Sequence, residues 1–189
     1  MTTPFVSPHV IETSRLRLRQ WREADKASFA AMSADPEVMY YFPSTLDAEA
    51  SAQLIERFAE RITVNGWGFW AAELKSSGEC IGLIGLHLQD AESGIPHAPL
   101  VEIGWRIARS HWRQGYAEEG ARAALRFAFD TLGLDRVYAF TAVVNEPSCR
   151  LMTKLGMRNI MQDFDHPKLA QGHRLERHYL YMIERSDFA

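Results

Sequence analysis

Residues 14–22 alternate, with Leu16 and Leu18 standing between Arg15, Arg17 and Arg19. That is the period-two pattern of a strand with one buried face. Asp25 then opens a short helix through Met32, and Asp35-Pro36-Glu37 starts a turn that ends at Tyr40-Tyr41-Phe42-Pro43. Thr45 is read as an N-cap. After it, Leu54, Ile55, Phe58 and Ile62 recur at helical spacing over residues 46–64, until Asn65-Gly66 stops the helix. Strands are predicted over 69–74, 80–88 and 100–108, the last two separated by a loop at 89–99. Gly82 and Gly85 inside the second of these signal a bulge or a close backbone approach. A long helix over 117–132 stops at Gly133, and a strand follows over 136–144. Pro147 then opens a short helix that ends before Gly156. Strands over 158–164 and 177–183 flank a polar loop with His166, Pro167, Gly172 and His173. The order β-α-α-β-β-β-α-β-α-β-β predicts an α+β fold. Its sheet is mostly antiparallel with one βαβ crossover.

Composition narrows the function. The chain has 189 residues, 47% of them hydrophobic, enough for one domain over residues 1–189, with residues 1–10 expected to be flexible. A net charge of −3 gives no reason to expect nucleic acid or an anionic membrane as partner. Arg15, Arg17, Arg19 and Arg22 read as the solvated face of an edge strand. Cys80 and Cys149 are too far apart for a Cys-x-x-Cys site, and no histidine pair has ligand spacing, so no metal is expected. The first residues lack a basic region followed by an apolar run, and no apolar stretch reaches the ~20 residues of a membrane span. A cytoplasmic location is the expectation.

The segment Val101 to Glu119 carries the chemistry. A strand runs through a short loop ending in Gly115-Tyr116-Ala117 and straight into a helix. A helix N-terminus offers unpaired N–H groups and the positive end of its dipole, so it attracts anions. No Lys-Ser/Thr follows the glycine, which argues against a nucleoside-triphosphate loop. No Gly-x-Gly-x-x-Gly follows an early strand, which argues against a dinucleotide fold. What remains is a pyrophosphate held by backbone.

These pieces together resemble the GNAT superfamily of acetyl-CoA-dependent N-acetyltransferases, and most closely its RimJ/RimL-type branch. The resemblance rests on Glu12 to Arg19, on Glu102-Ile103-Gly104-Trp105, on Trp112-Arg113-Gln114-Gly115-Tyr116-Ala117, and on the run from Asn145 through Ser148, Leu151 and Lys154-Leu155-Gly156-Met157. It implies a GNAT fold: a mixed, mostly antiparallel seven-stranded sheet with about four helices and splayed central strands. It also implies acetyl-CoA as cosubstrate. Trp105, Arg106, Ile107, Trp112, Arg113, Gln114, Gly115, Tyr116, Ala117, Asn145 and Ser148 are the expected cosubstrate contacts. Two departures stand out. Trp112 occupies a position the superfamily usually gives to Gln or Arg, and Met152 stands where many members have a tyrosine acid, leaving Ser148 as the hydroxyl in reach.

Acetyl transfer needs a neutral amine, a donor for the oxyanion and, optionally, a proton for the thiolate. Glu102 is the expected base. The N–H of Ile107 is the expected oxyanion donor, with N–H and C=O groups near Trp105 to Ile107 pairing with the pantetheine amides. Ser148 is the expected proton donor, and Asn145 orients the arm. Tyr40, Tyr41, Trp67, Phe69 and Trp70 read as core, and His166 and His173 as surface-loop residues. Cys149 has no evident activating partner, so transfer is expected to be direct. The branch implies a protein N-terminal α-amine as acceptor; the alternative is a small amine such as an antibiotic, polyamine or amino acid. A non-catalytic acyl-CoA-binding module is the rival outside the enzymes. The resemblance is compatible with a homodimer.

Overall fold

A computed structural model describes residues 7–188. Its strands are β1 (Ile11–Glu12), β2 (Leu16–Arg19), β3 (Phe69–Leu74), β4 (Cys80–Gln89), β5 (Leu100–Ile107), β6 (Arg136–Ala142), β7 (Arg158–Asn159), β8 (Phe164–Asp165) and β9 (Arg177–Glu184). Its helices are α1 (Asp25–Ala34), α2 (Ala48–Asn65), α3 (Tyr116–Arg126) and α4 (Glu146–Lys154). One sheet runs β1-β2-β3-β4-β5-β6-β9-β7, with β8 also on β9. Every pairing is antiparallel except β5–β6. The expected α+β architecture is therefore present, in nine strands rather than seven because β1 is additional and one expected strand is broken. Residues 14–22 give only β2, with β1 folded back beside it. Residues 158–164 divide into β7 and β8 where Met161 takes φ 58°, its N–H held by Asn159 Oδ1 at 2.8 Å.

The two faces of the sheet are covered differently. Arg122 of α3 donates to the Lys154 carbonyl of α4 at 2.7 Å, so these helices lie side by side. Helix α3 presses on β4 through Gly120, where a Cβ would sit 2.4 Å from Ile84 Cδ1. The opposite face carries α1 and α2, with Phe58 of α2 edge-on to Phe69 at 5.4 Å. Helix α2 is capped by Asp47, whose carboxylate accepts from Ala50 N–H at 2.8 Å, rather than by the expected Thr45. Gly66 ends it in the left-handed conformation, φ 79°.

One expectation changes. Residues 1–6 of the expected flexible segment lie outside the described residues; within the rest of it, His9 donates its N–H to the Gly66 carbonyl at 2.8 Å. The arginine row is not simply solvated. Arg19 is 3% exposed and makes a two-point pair with Asp25 at 2.7 and 2.9 Å, while its Nε donates to Glu73 at 2.5 Å. Arg17 and Arg22 also reach Glu73.

Candidate active site

Strands β5 and β6 meet in register at only one pair, Glu102 with Tyr138. From there toward Ile107, β5 keeps its ladder with β4 but loses β6. Ala108 N–H donates to the Ile81 carbonyl at 2.8 Å. Because backbone groups alternate along an antiparallel strand, the N–H groups of Ile107 and Trp105 point the other way, into the gap. The gap opens into a cleft of about 1200 Å³. The glycines in β4 are the close approaches their spacing predicted. A Cβ on Gly82 would lie 2.1 Å from the Arg106 carbonyl, and one on Gly85 would lie 2.1 Å from that of Gly68.

The donor end of the cleft is the loop before α3. Arg113 (φ 59°) and Gly115 (φ 81°) both take left-handed conformations that turn the chain into Tyr116. Non-glycine residues rarely do this, so the turn is held from outside. Arg15 braces it by donating to the Gln114 carbonyl at 2.9 Å and pairing with Glu119 at 2.6 Å. Trp112 explains itself here: its indole N–H donates to the Ile107 carbonyl at 2.7 Å and ties the loop to the end of β5. That carbonyl, expected to serve the pantetheine arm, is therefore not free for it; the Ile107 N–H remains so. We predict that Trp112→Phe, which keeps the ring and loses this bond, raises KM for acetyl-CoA several-fold and leaves acceptor KM unchanged in steady-state kinetics.

Trp105, Ile107, Trp112, Arg113, Gly115, Tyr116, Ala117, Asn145 and Ser148 all line the cleft. Gln114 does not: its side chain turns back to the Ser110 carbonyl at 3.0 Å. Asn145 is used locally, accepting from Ser148 N–H at 3.3 Å and donating to Thr141 at 2.8 Å, so it caps α4. The Ser148 hydroxyl has no protein partner among the described residues and faces the cleft.

Glu102, Gly104 and Arg106 alternate with the donor-side residues and pair with His87, Gly85 and Leu83. Their side chains therefore emerge on the α1–α2 face. Burial pushes the Glu102 carboxyl up to about 7, against a single hydrogen bond from Gln89 at 3.1 Å that favours the charged form. Arg106 departs from its expected place among the donor contacts. Its guanidinium lies over the Phe42 ring at 4.1 Å, on the face away from α3. Tyr40, Tyr41 and Phe69, read as core, line this side, while Trp70 is fully buried. Residues of two loops join them: Phe42, and His166 with Lys168. Arg174 clasps the loops together, donating to the Tyr40 carbonyl and stacking over its ring at 4.4 Å. Burial first, then His178 and Lys168, push His166 down to about 4, so it is neutral at pH 7. Among the described residues no three His, Cys, Asp or Glu side chains gather to hold a metal, and no helix is long and apolar enough to cross a membrane.

Comparison with known proteins agrees with this geometry. An acetyltransferase (GNAT) domain model matches residues 15–158. The N-acetyltransferase YoaA of Bacillus subtilis is 33% identical over 79% of this chain and 82% of its own. The solved GNAT-family acetyltransferase of Bacillus anthracis superimposes with TM-score 0.77 and 25% identity, covering 93% of this chain and 98% of the other. Two further structures share the fold. RimJ of Mycobacterium smegmatis with CoA-disulfide gives TM-score 0.73 and 20% identity, over 98% and 91% of the two chains. Spermidine N-acetyltransferase of Vibrio cholerae with CoA and spermine gives 0.71 and 22%, over 92% and 98%. With its splayed strands, its backbone-built donor loop and a domain match over most of its length, the chain belongs to the GNAT acetyltransferase family and is an acetyl-CoA-dependent N-acetyltransferase.

Proposed function

We propose that this enzyme acetylates an α-amine, in the manner of the RimJ/RimL-type branch, with a protein N-terminus as the acceptor. The observation that carries the reading is the Glu102 carboxyl held at about 7. An α-ammonium, with a pKa near 8, gives up its proton to such a base at a cost of about 1 kcal/mol, whereas a lysine ammonium near 10.4 costs about 5 kcal/mol. The same difference weighs against aliphatic polyamines. The rival reading, a small amino-acid-like amine, shares the α-amine and differs only in the absence of a peptide chain beyond it.

In this scheme acetyl-CoA lies along the α3–α4 face with its pyrophosphate at the Gly115–Ala117 backbone, and the amine approaches from the α1–α2 face. Glu102 takes the ammonium proton. The amine nitrogen then bonds to the thioester carbonyl carbon, and the Ile107 N–H receives the oxyanion. The C–S bond breaks as the intermediate collapses, and the proton its nitrogen loses passes through the Ser148 hydroxyl to the departing thiolate, which leaves the serine neutral. Burial holds the Cys149 thiol above its ordinary range, which supports direct transfer over an acyl-enzyme. A CoA thiolate with a pKa near 8.5 leaves tolerably unaided. Ser148→Ala is therefore expected to lower kcat by less than about tenfold, with KM for both substrates unchanged. A loss of about a thousandfold would mean the hydroxyl does more than protonate sulfur.

The reading is tested by incubating the enzyme and acetyl-CoA with a peptide that carries a free N-terminus and one internal lysine, then mapping the acetyl group by tandem mass spectrometry. Label on the α-amine alone is expected. Label on the lysine, or turnover only with polyamines, overturns it.

A further inference from the structure

We infer that Arg106 is the anchor for a carboxylate carried by the acceptor several bonds away from the reacting amine. The inference rests on the acyl-transfer reading of the cleft and adds to it the chemical class of the acceptor.

The Nε and Nη1 atoms of Arg106 are buried and have no hydrogen-bond partner among the described residues. The third nitrogen, Nη2, is not among the buried atoms, so the half-buried group opens to the cleft through one nitrogen while its other two lack any partner, which is costly. Its surroundings are aromatic, Phe42 at 4.1 Å and Phe29 at 5.8 Å from its centre, which stabilises a cation only in part. The acidic side chains of the cleft are all committed elsewhere. Glu37 pairs with Arg109 at 2.9 Å, Glu118 with Lys154 at 2.5 Å and Arg122 at 3.3 Å, and Glu102 accepts from Gln89. Burial alone draws the guanidinium down, to about 10, with no acid opposing it. The missing counterion is one that arrives with a ligand.

The position of Arg106 says which ligand. Its side chain shares a strand face with Glu102, the face of the acceptor rather than of acetyl-CoA. Four residues along a strand separate the two Cα atoms by about 13 Å. An amine at Glu102 and an anion at Arg106 therefore belong to one molecule only if several bonds lie between them. A planar guanidinium flanked by the flat ring of Phe42 and open at Nη2 suits a planar carboxylate. A peptide with an acidic residue after its N-terminus and a free amino acid with a side-chain carboxylate both carry this pattern. A polyamine carries the opposite charge.

The test uses two matched pairs: Ser-Glu-Ala-amide against Ser-Gln-Ala-amide, and glutamic acid 1-amide against glutamine amide. Binding to the CoA-loaded wild-type enzyme and to Arg106→Gln is measured by titration calorimetry, and turnover by CoA release. In at least one pair the acid is expected to bind wild type at least tenfold more tightly than the amide; which pair does so tells peptide from free amino acid. In Arg106→Gln the two members of that pair bind alike, CoA affinity is unchanged, and the melting temperature is equal or higher because an uncompensated charge is gone. Equal binding of acid and amide to wild type in both pairs overturns the inference. So does an acid preference that survives in Arg106→Gln. An acid preference that needs Arg106 but leads to no acetylated product sustains the anchor and removes the α-amine acceptor reading instead.

Discussion

Replacing Glu102 with glutamine is expected to lower kcat/KM for the acceptor by about two to three orders of magnitude at pH 7, the range of a lost general base. KM for acetyl-CoA is expected to stay put, because the donor loop lies on the other side of the sheet. The fold should not suffer. Burial raises the Glu102 carboxyl above its ordinary value, so its ionised form weakens the native state. That stability is present at low pH and is lost as pH rises toward about 7. The variant removes this weakness, and its melting temperature at pH 8 should equal or exceed that of wild type. Activity within a few-fold of wild type would show that another group or a water chain removes the proton.

Replacing Arg19 with leucine is expected to cost stability instead, about 3–5 kcal/mol, because it removes the guanidinium paired with buried Asp25 and one of the three that reach Glu73. Asp25 and Glu73 are each 3% exposed, and Arg19 bonds to both. For a chain of this size that is a fall in melting temperature on the order of 10 °C. The pH dependence carries a sign. Burial pushes the Glu73 carboxyl up, but hydrogen bonding and charge from Arg19, with help from Arg22 and Arg17, bring it below the ordinary carboxylate range. Its contribution in wild type is therefore present above that range and fades as pH falls through its lowered value. In the variant Glu73, with one guanidinium fewer, takes up a proton more readily. The gap between the two proteins should be widest near neutral pH and should narrow in acid. A loss under about 1 kcal/mol at pH 7 would mean the network holds little of the fold.

Much of this architecture is legible in the order of residues, for physical reasons that differ along the chain. Strand β3 is legible at both ends because Gly66 and Ser76-Ser77-Gly78 punctuate a short apolar run. Helix α2 is legible because its apolar residues repeat at one period, yet its cap lies two residues beyond the expected one. Thr45 and Asp47 are both good cap types, and only the bond to Ala50 N–H decides between them. The long helix predicted to Leu132 ends as α3 at Arg126 and widens into a π turn over Phe127–Thr131, which keeps nearly the same apolar spacing. The break at Met161 has no signal, since nothing marks a methionine for a left-handed backbone.

The site divides in the same way. The donor loop is local, so Gly115 and its neighbours can be read directly. The acceptor wall is assembled from distant loops, and Phe42, His166 and Lys168 obey no common period. The arginines show the limit most clearly. Alternation alone sends Arg19 to solvent, because its partners stand six and 54 residues away. It sends Arg106 to the donor because the donor motif surrounds it in sequence, while the strand turns its side chain to the other face.

The most direct test of the catalytic scheme is the pH dependence of kcat/KM for an N-terminal peptide, measured between pH 5 and 9 at saturating acetyl-CoA. If Glu102 is the base, the profile rises through an ionisation near pH 7, the value its burial sets, and that rise is absent from Glu102→Gln. A profile with no ionisation near 7, or the same rise in the variant, contradicts it.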